Sequence, residues 1–280
     1  MIHKKSPVEK YADLHVHTYF SDGTFSPEEV VNSASSKGLS AIAICDHDCI
    51  DGIEPAIKSA KEISLEIIPG IELTAHKNKR EIHILGYFIK WKELWLRDLL
   101  RKIQDARIER LDSMIEKLAG FDVRVDRQKV LKLSGNGSVG RLHLAKVMFE
   151  TEAVPSIQNA FDKYIGEFKP CYVEDVGMDL KIAIETIKKA GGISVLAHPN
   201  ILHDDKLVQE IIDCGVQGIE VFHTDHNAGA ARKYERMAID NNLLITGGSD
   251  CHGMGKGRVL MGGVKIPYAT LEKLRKAAGQ

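Results

Sequence analysis

Leu39-Ser40-Ala41-Ile42-Ala43-Ile44-Cys45-Asp46-His47-Asp48 is a short apolar run that ends abruptly in two carboxylates around an imidazole. Leu39 to Cys45 is short and aliphatic, which reads as a buried strand. The polar triplet then falls just beyond its C-terminal end. The same pattern recurs along the chain. Asp13-Leu14-His15-Val16-His17 closes a strand that begins at Tyr11, Gly70-Ile71-Glu72 lies in a strand over 66–73, and His83 in one over 82–89. Ala197-His198-Pro199 follows a strand at 193–197, and Ser249-Asp250-Cys251-His252 follows one at 243–247; a further strand spans 217–222.

Helices are expected between these strands. Ser26 is a good N-cap, with Pro27 at the first helical position, Glu28 and Glu29 in the first turn and Gly38 as the stop. Further helices are read at 53–65, 180–190 (stopped by Gly191-Gly192), 204–214 and 228–241. Apolar strands alternating with helices indicate a parallel sheet covered by helices. Polar residues that follow strand C-termini lie where α/β barrels place their chemistry. The expected fold is a distorted (β/α)7-type barrel with an all-helical insertion.

Residues 94–170 break the rhythm. A charged helix over 94–119 carries an apolar stripe of Leu100, Ile103, Ile108, Leu111, Ile115 and Leu118, and shorter helices are read at 126–133, 139–150 and 156–164. The barrel is therefore expected from 1–93 and 171–280, with 94–170 as a helical insertion or lid.

Bulk properties exclude several function classes. The 280 residues carry 38 Lys and Arg against 39 Asp and Glu, a net charge of −1, so no global pull toward nucleic acid or an anionic membrane is expected. No apolar run approaches membrane-spanning length, and the N-terminal stretch Met1-Ile2-His3-Lys4-Lys5-Ser6 has no signal-peptide character. The five cysteines, Cys45, Cys49, Cys171, Cys214 and Cys251, are odd in number and lack disulfide-like spacing, which fits reduced thiols in a cytoplasmic protein. No obligate protein partner is expected.

His15 and His17, two apart on a strand end, share one face and can chelate a single ion. Alone this is a weak signal. With Asp22, His47, Glu72, His83, His198, Asp250 and His252 the set becomes a mixed imidazole and carboxylate donor site suited to Mn²⁺, Zn²⁺ or Fe²⁺ alike. Gly135-Asn136-Gly137-Ser138-Val139-Gly140 resembles a dinucleotide loop in spacing, but no strand precedes it. No nucleophile-elbow spacing surrounds Gly247-Gly248-Ser249-Asp250, which argues against a serine hydrolase.

The run Asp13 to Thr24 resembles the first motif of the polymerase and histidinol phosphatase (PHP) phosphoesterases. Asp46-His47-Asp48, Gly70-Ile71-Glu72, Ala197-His198-Pro199 and Gly248 to His252 resemble its later motifs, in order and on both sides of the helical segment. The resemblance implies three divalent ions: one held by His15, His17, Glu72 and Asp250, a second by Glu72 as a bridge with His83 and His198, and a third by Asp22, His47 and His252. It implies phosphoester hydrolysis by a metal-activated water, with Glu72 and Asp250 central to catalysis. Gly140-Arg141-Leu142-His143 resembles a segment of a subgroup acting on nucleoside 3′,5′-bisphosphates and on the 5′ ends of short RNA. Arg141 could clamp a phosphate there, or be a surface arginine on a helix. His223 and His226 are expected to face substrate, one of them contacting phosphate or protonating the leaving group; ordinary loop histidines are the alternative. Asp48 could orient His47. Cys45, Cys49 and Cys251 stand where the subgroup carries other residues, as packing groups or a zinc thiolate; His76 and His203 read as surface residues. The expected substrate is a small phosphorylated nucleotide, with short RNA as a related one. Rivals are a histidinol-phosphate or other small phosphomonoester phosphatase, and a non-catalytic metal-binding regulatory module.

Overall fold

The computed structural model describes residues 9–135, 137–174 and 178–280. The N-terminal stretch Met1 to Ser6 and Asn136 of the glycine-rich run lie outside the described residues. The sheet is built from β1 (Tyr11–Val16), β2 (Ala41–Ile44), β3 (Glu66–Lys77), β4 (Arg80–Tyr87), β5 (Met178–Asp179), β6 (Ile193–Leu196), β7 (Gly218–His223), β8 (Leu244–Gly248) and β9 (Ile266–Pro267). Its order is β8-β7-β6-β4-β3-β2-β1-β9, with β5 paired to β3. The two ends nearly close the barrel: Val16 bridges Cys251 in parallel, and the His17 amide donates to the Cys251 carbonyl at 3.0 Å. Gly248 permits this approach, because a Cβ there would sit 2.4 Å from the His15 backbone nitrogen.

Helices α1 (Pro27–Ser36), α2 (Ile53–Ser59), α7 (Leu180–Lys189), α8 (Asp205–Asp213), α9 (Ala228–Asp240) and α10 (Tyr268–Ala277) complete this part of the fold. The start of α1 is a full capping box: Ser26 Oγ accepts from the Glu29 amide at 3.1 Å and Glu29 accepts from the Ser26 amide at 2.7 Å. Gly38 and Gly191 take positive φ just past α1 and α7, as their stop roles require. α2 stops at Ser59, shorter than expected, and continues only as a 3₁₀ turn over Ala60–Glu62.

The sheet is not uniformly parallel. β4 runs antiparallel to both β3 and β6, and β9 antiparallel to β1. The reason is local. Only Asn78 and Lys79 separate β3 from β4, both at positive φ, and a two-residue hairpin leaves no room for a crossover helix.

Helices α3 (Leu94–Ala119), α4 (Arg127–Ser134), α5 (Arg141–Glu150) and α6 (Ile157–Ala160), which runs into a π-helical turn at Phe161–Ile165, follow β4. They share a hydrophobic cluster of their own around Leu111, Met114, Leu118, Leu144, Val147 and Met148. Leu96 and Leu100, at the start of α3, pack instead into the barrel's core.

Polar contacts join these helices to the barrel. Arg107 of α3 is buried and donates through Nε to Asp48 Oδ2 at 2.9 Å, through Nη2 to the same oxygen and to Thr74 Oγ1 at 2.6 Å, and through Nη1 to the Val139 carbonyl at 3.3 Å. Removing one member of a buried pair leaves an uncompensated charge. Arg107→Met should therefore destabilise the protein by about 3–5 kcal/mol in urea unfolding; a loss below about 1 kcal/mol would show that Asp48 does not depend on this pair.

Candidate metal centre

The C-terminal ends of β1, β2, β6 and β8, with the middle of β3 and β4, deliver one cluster. Glu72 is almost fully buried and stands at its middle. Its Oε2 faces His15 Nε2, His17 Nε2 and His47 Nδ1, each at 3.2 Å; its Oε1 faces His83 Nδ1 at 3.0 Å and His198 Nε2 at 2.9 Å. Asp250 Oδ1 faces His17 Nε2 at 3.1 Å and His252 Nδ1 at 3.4 Å, and Asp22 Oδ1 faces His252 Nε2 at 2.9 Å. All nine residues read from the sequence as ligands thus converge. Eight of them, with His223, form overlapping groups of donor atoms within 4.8 Å: His17, Asp22, His47 and His252; His15, His223 and Asp250; His15, His17 and Glu72; His47, Glu72 and His83. His198 joins through Glu72 alone.

The donor set fits divalent cations. His17 Nε2, His47 Nδ1, His83 Nδ1 and Asp22 Oδ1 are buried within ion-pair distance of their neighbours but make no well-aligned hydrogen bond among the described residues, a costly condition for polar atoms aimed at no cation. The charge balance agrees. Burial opposes charging of His15, His17 and His83, yet the facing carboxylates outweigh it, holding His15 well above its usual range and raising His17 to about 9 and His83 to about 10. Burial instead holds His47 and His198 below the usual imidazole range. Several carboxylates here draw cationic charge into a buried space.

Part of the backbone strain falls at the same places. Asp48, His198 and Asp250 all have positive φ (46°, 27° and 53°), a conformation that costs non-glycine residues of order 1 kcal/mol or more and clusters at functional sites.

A family model described as the PHP domain matches residues 13–175. The chain belongs to the PHP family. It is 34% identical over 251 residues to a 5′-3′ exoribonuclease of Haemophilus influenzae, covering 87% of this chain and 90% of that one. A 3′,5′-nucleoside bisphosphate phosphatase of Chromobacterium violaceum is 30% identical over 252 residues, covering 88% of each. Among solved structures, a Bifidobacterium adolescentis protein proposed to be a metal-dependent phosphoesterase superposes with a TM-score of 0.86 at 28% identity, covering 96% of both chains. An amidohydrolase from Chromobacterium violaceum, solved with sulfate and no metal, superposes with a TM-score of 0.82 at 29% identity, covering 91% of this chain and 90% of that one. The chain is a metal-dependent phosphoesterase of the PHP family, a hydrolase of phosphoric esters, with His, Asp and Glu clusters suited to metal.

Around this PHP centre the remaining expected residues are placed as follows. A cavity of about 910 Å³ opens over the cluster, lined by Asp22, His47, Glu72, His83, His198, Asp250 and His252 and by Arg141. Arg141 Nη2 donates to Glu81 Oε1 at 2.8 Å, and the same oxygen meets His83 Nε2 at 3.2 Å. His223 joins the cluster, its Nε2 3.3 Å from Asp250 Oδ2. His226 is not in the cavity wall: its Nδ1 donates to the Val221 carbonyl at 2.8 Å, and its ring packs between His223 and Tyr234. Asp48 faces Arg107 and the Thr74 amide rather than His47. Asp13 and Asp46 accept backbone and hydroxyl donors from Ser249, Thr18 and Ser21. The thiols of Cys45, Cys49 and Cys251 are buried, burial pushes them up, and no group of metal-capable donors among the described residues includes one. His203 is exposed, whereas His76 is half-buried.

Three residues were missed in the sequence. Glu220 Oε1 meets His15 Nδ1 at 3.0 Å, and its Oε2 accepts from the His198 amide at 2.8 Å. A register shift between Glu220 and Phe222 turns Glu220 and His223 to the same side, which strict alternation would forbid. Glu81 was hidden beside His83. Lys256 sits in a glycine-rich loop and pairs with Asp250 Oδ2 at 2.6 Å.

His143 of α5 accepts from the Gly140 amide at 3.0 Å, and burial lowers its pKa to about 4. The unfolded chain therefore binds this proton more readily, and its stabilising effect is lost as pH falls from about 6.5 toward 4. His143→Gln keeps an acceptor and removes the titration. It should shrink the stability difference between pH 7 and pH 5, measured by urea unfolding, by roughly 2 kcal/mol. An unchanged difference would show that His143 does not titrate in this window.

Proposed function

We propose that the protein hydrolyses a terminal phosphate of nucleoside 3′,5′-bisphosphates and also acts at 5′ ends of short RNA. The observation that carries this reading is the pairing, in one cavity, of the Glu72-centred donor cluster with Arg141. His15, His17, Glu72 and Asp250 would hold one cation, Glu72 with His83 and His198 a second, and Asp22, His47 and His252 a third. Bound divalent cations supply Lewis acidity, neutralising phosphate oxygens and lowering the pKa of a water.

The rest is the work of side chains. Glu220 and Glu81 hold His15 and His83 by their outward nitrogens, which fixes ring orientation and directs the other nitrogen toward Glu72. Arg141 presents a planar fork to the second phosphate of a bisphosphate, held in place by Glu81 and by the faces of Tyr172 and Phe161. Phe149, Ile157, Phe161 and Ile201 give the cavity an apolar wall suited to a nucleoside. On this reading the barrel (1–93 and 171–280) carries the chemistry, and the helical segment 94–170 serves as a lid that brings Arg141 to it. The named relatives act on a bisphosphate and on RNA, which supports a phosphorylated nucleotide as substrate. No helix among the described residues is long and apolar enough to cross a membrane.

Two variants test this. Glu72→Gln should lower phosphate release from adenosine 3′,5′-bisphosphate at least about a hundredfold; unchanged turnover would show that the Glu72 cluster is not the reacting centre, and no turnover by the wild type would favour a non-catalytic metal-binding role. Arg141→Ala should raise KM for the bisphosphate roughly tenfold or more with little effect on a simple phosphomonoester. An equal effect on both substrates, or none, would favour a small-phosphomonoester phosphatase.

A further inference from the structure

Among the described residues, three lysine or arginine side chains line the cavity: Arg80, Arg141 and Lys256. Arg80 is paired with Glu167 at 3.3 Å and Arg141 with Glu81 at 2.8 Å, and neither carboxylate belongs to a metal-capable group. Lys256 differs. Its partner Asp250 turns Oδ1 toward His17 and His252 and Oδ2 toward Lys256 and His223. Asp250 therefore joins the Lys256 ammonium directly to the donor cluster. Once Oδ1 shares its charge with a cation, less negative charge remains to neutralise Lys256, and its field is directed into the cavity.

The loop is built to place this lysine. Gly253 and Gly257 flank it at φ of 60° and 80°. A Cβ at Gly255 would lie 2.9 Å from the His252 carbonyl oxygen, so the backbone is pressed against a cluster residue just before Lys256. The side chain is 34% exposed, so its end is reachable from the cavity. An ammonium carries three donors and Asp250 takes one.

We propose that Lys256 is a catalytic residue whose ammonium contacts non-bridging oxygens of the phosphoryl group being transferred. This rests on the phosphoesterase reading of the same site. In the reaction a P–O bond to water forms and the P–O bond to the sugar breaks. The leaving oxygen takes up a proton and orthophosphate is released. Lys256 supplies positive charge to the phosphoryl oxygens and transfers no proton.

The test is calorimetric titration of inorganic phosphate into metal-reloaded protein, wild type against Lys256→Met and Lys256→Arg, with bound metal measured on the same samples. Turnover of adenosine 3′,5′-bisphosphate is followed in parallel. The proposal expects Lys256→Met to bind orthophosphate about tenfold or more weaker, at wild-type metal content, and Lys256→Arg to recover part of the loss. Orthophosphate affinity within about twofold of wild type would overturn it. So would a loss that tracks lost metal, since Lys256 would then only position Asp250. Absence of bisphosphate turnover by the wild type would count against the substrate reading alone, because orthophosphate binding is scored separately.

Discussion

A carboxylate buried among five imidazoles governs this structure. Glu72 is 1% exposed and has His15, His17, His47, His83 and His198 within 3.2 Å of its two oxygens. Such a group is costly to bury unless opposite charge surrounds it. The surrounding residues come from four strands or the loops just after them, so satisfying this one carboxylate requires the barrel to close in its observed register. Gly248 against His15, the Val16–Cys251 bridge, and the strained backbones at Asp48, His198 and Asp250 are the local terms of that closure.

The helices after β4 take part in the same centre. Arg107 reaches from α3 to Asp48, the residue after His47. The Ser138 amide donates to the Phe20 carbonyl at 2.9 Å, and Lys146 Nζ donates to the Asp22 carbonyl at 3.2 Å. Glu81 then links Arg141 of α5 to His83 of the barrel. The cavity wall and the donor cluster are thus connected by short chains of polar contacts. Displacement of these helices would disturb His47, Asp22 and His83 as well as Arg141.

Much of this was legible from residue order. Histidines and carboxylates after apolar runs are readable because strand C-termini share one end of a barrel. Eight of the nine ligand candidates fall in groups of metal-capable donors and His198 faces Glu72, and the PHP resemblance of their motifs agrees with the family match. What escaped has physical causes. The antiparallel β4 is encoded in two turn residues, Asn78 and Lys79, whose positive φ no apolar pattern reveals. Glu220 and His226 lie on β7 or just beyond it, where a bulge breaks the period-two rule; alternation therefore gave neither the inward turn of Glu220 nor the retreat of His226 from the cavity. Lys256 lies in a glycine-rich loop whose path depends on tertiary contact of Gly253 and Met254 with Thr24 and Phe25.

The central claim is that the Glu72 cluster holds several divalent cations at once. Elemental analysis of purified protein, reloaded with manganese, iron or zinc and then desalted, addresses it directly. The account predicts more than one tightly held ion per chain, and three when the cluster is saturated. A chain that retains none, or only one, would contradict it.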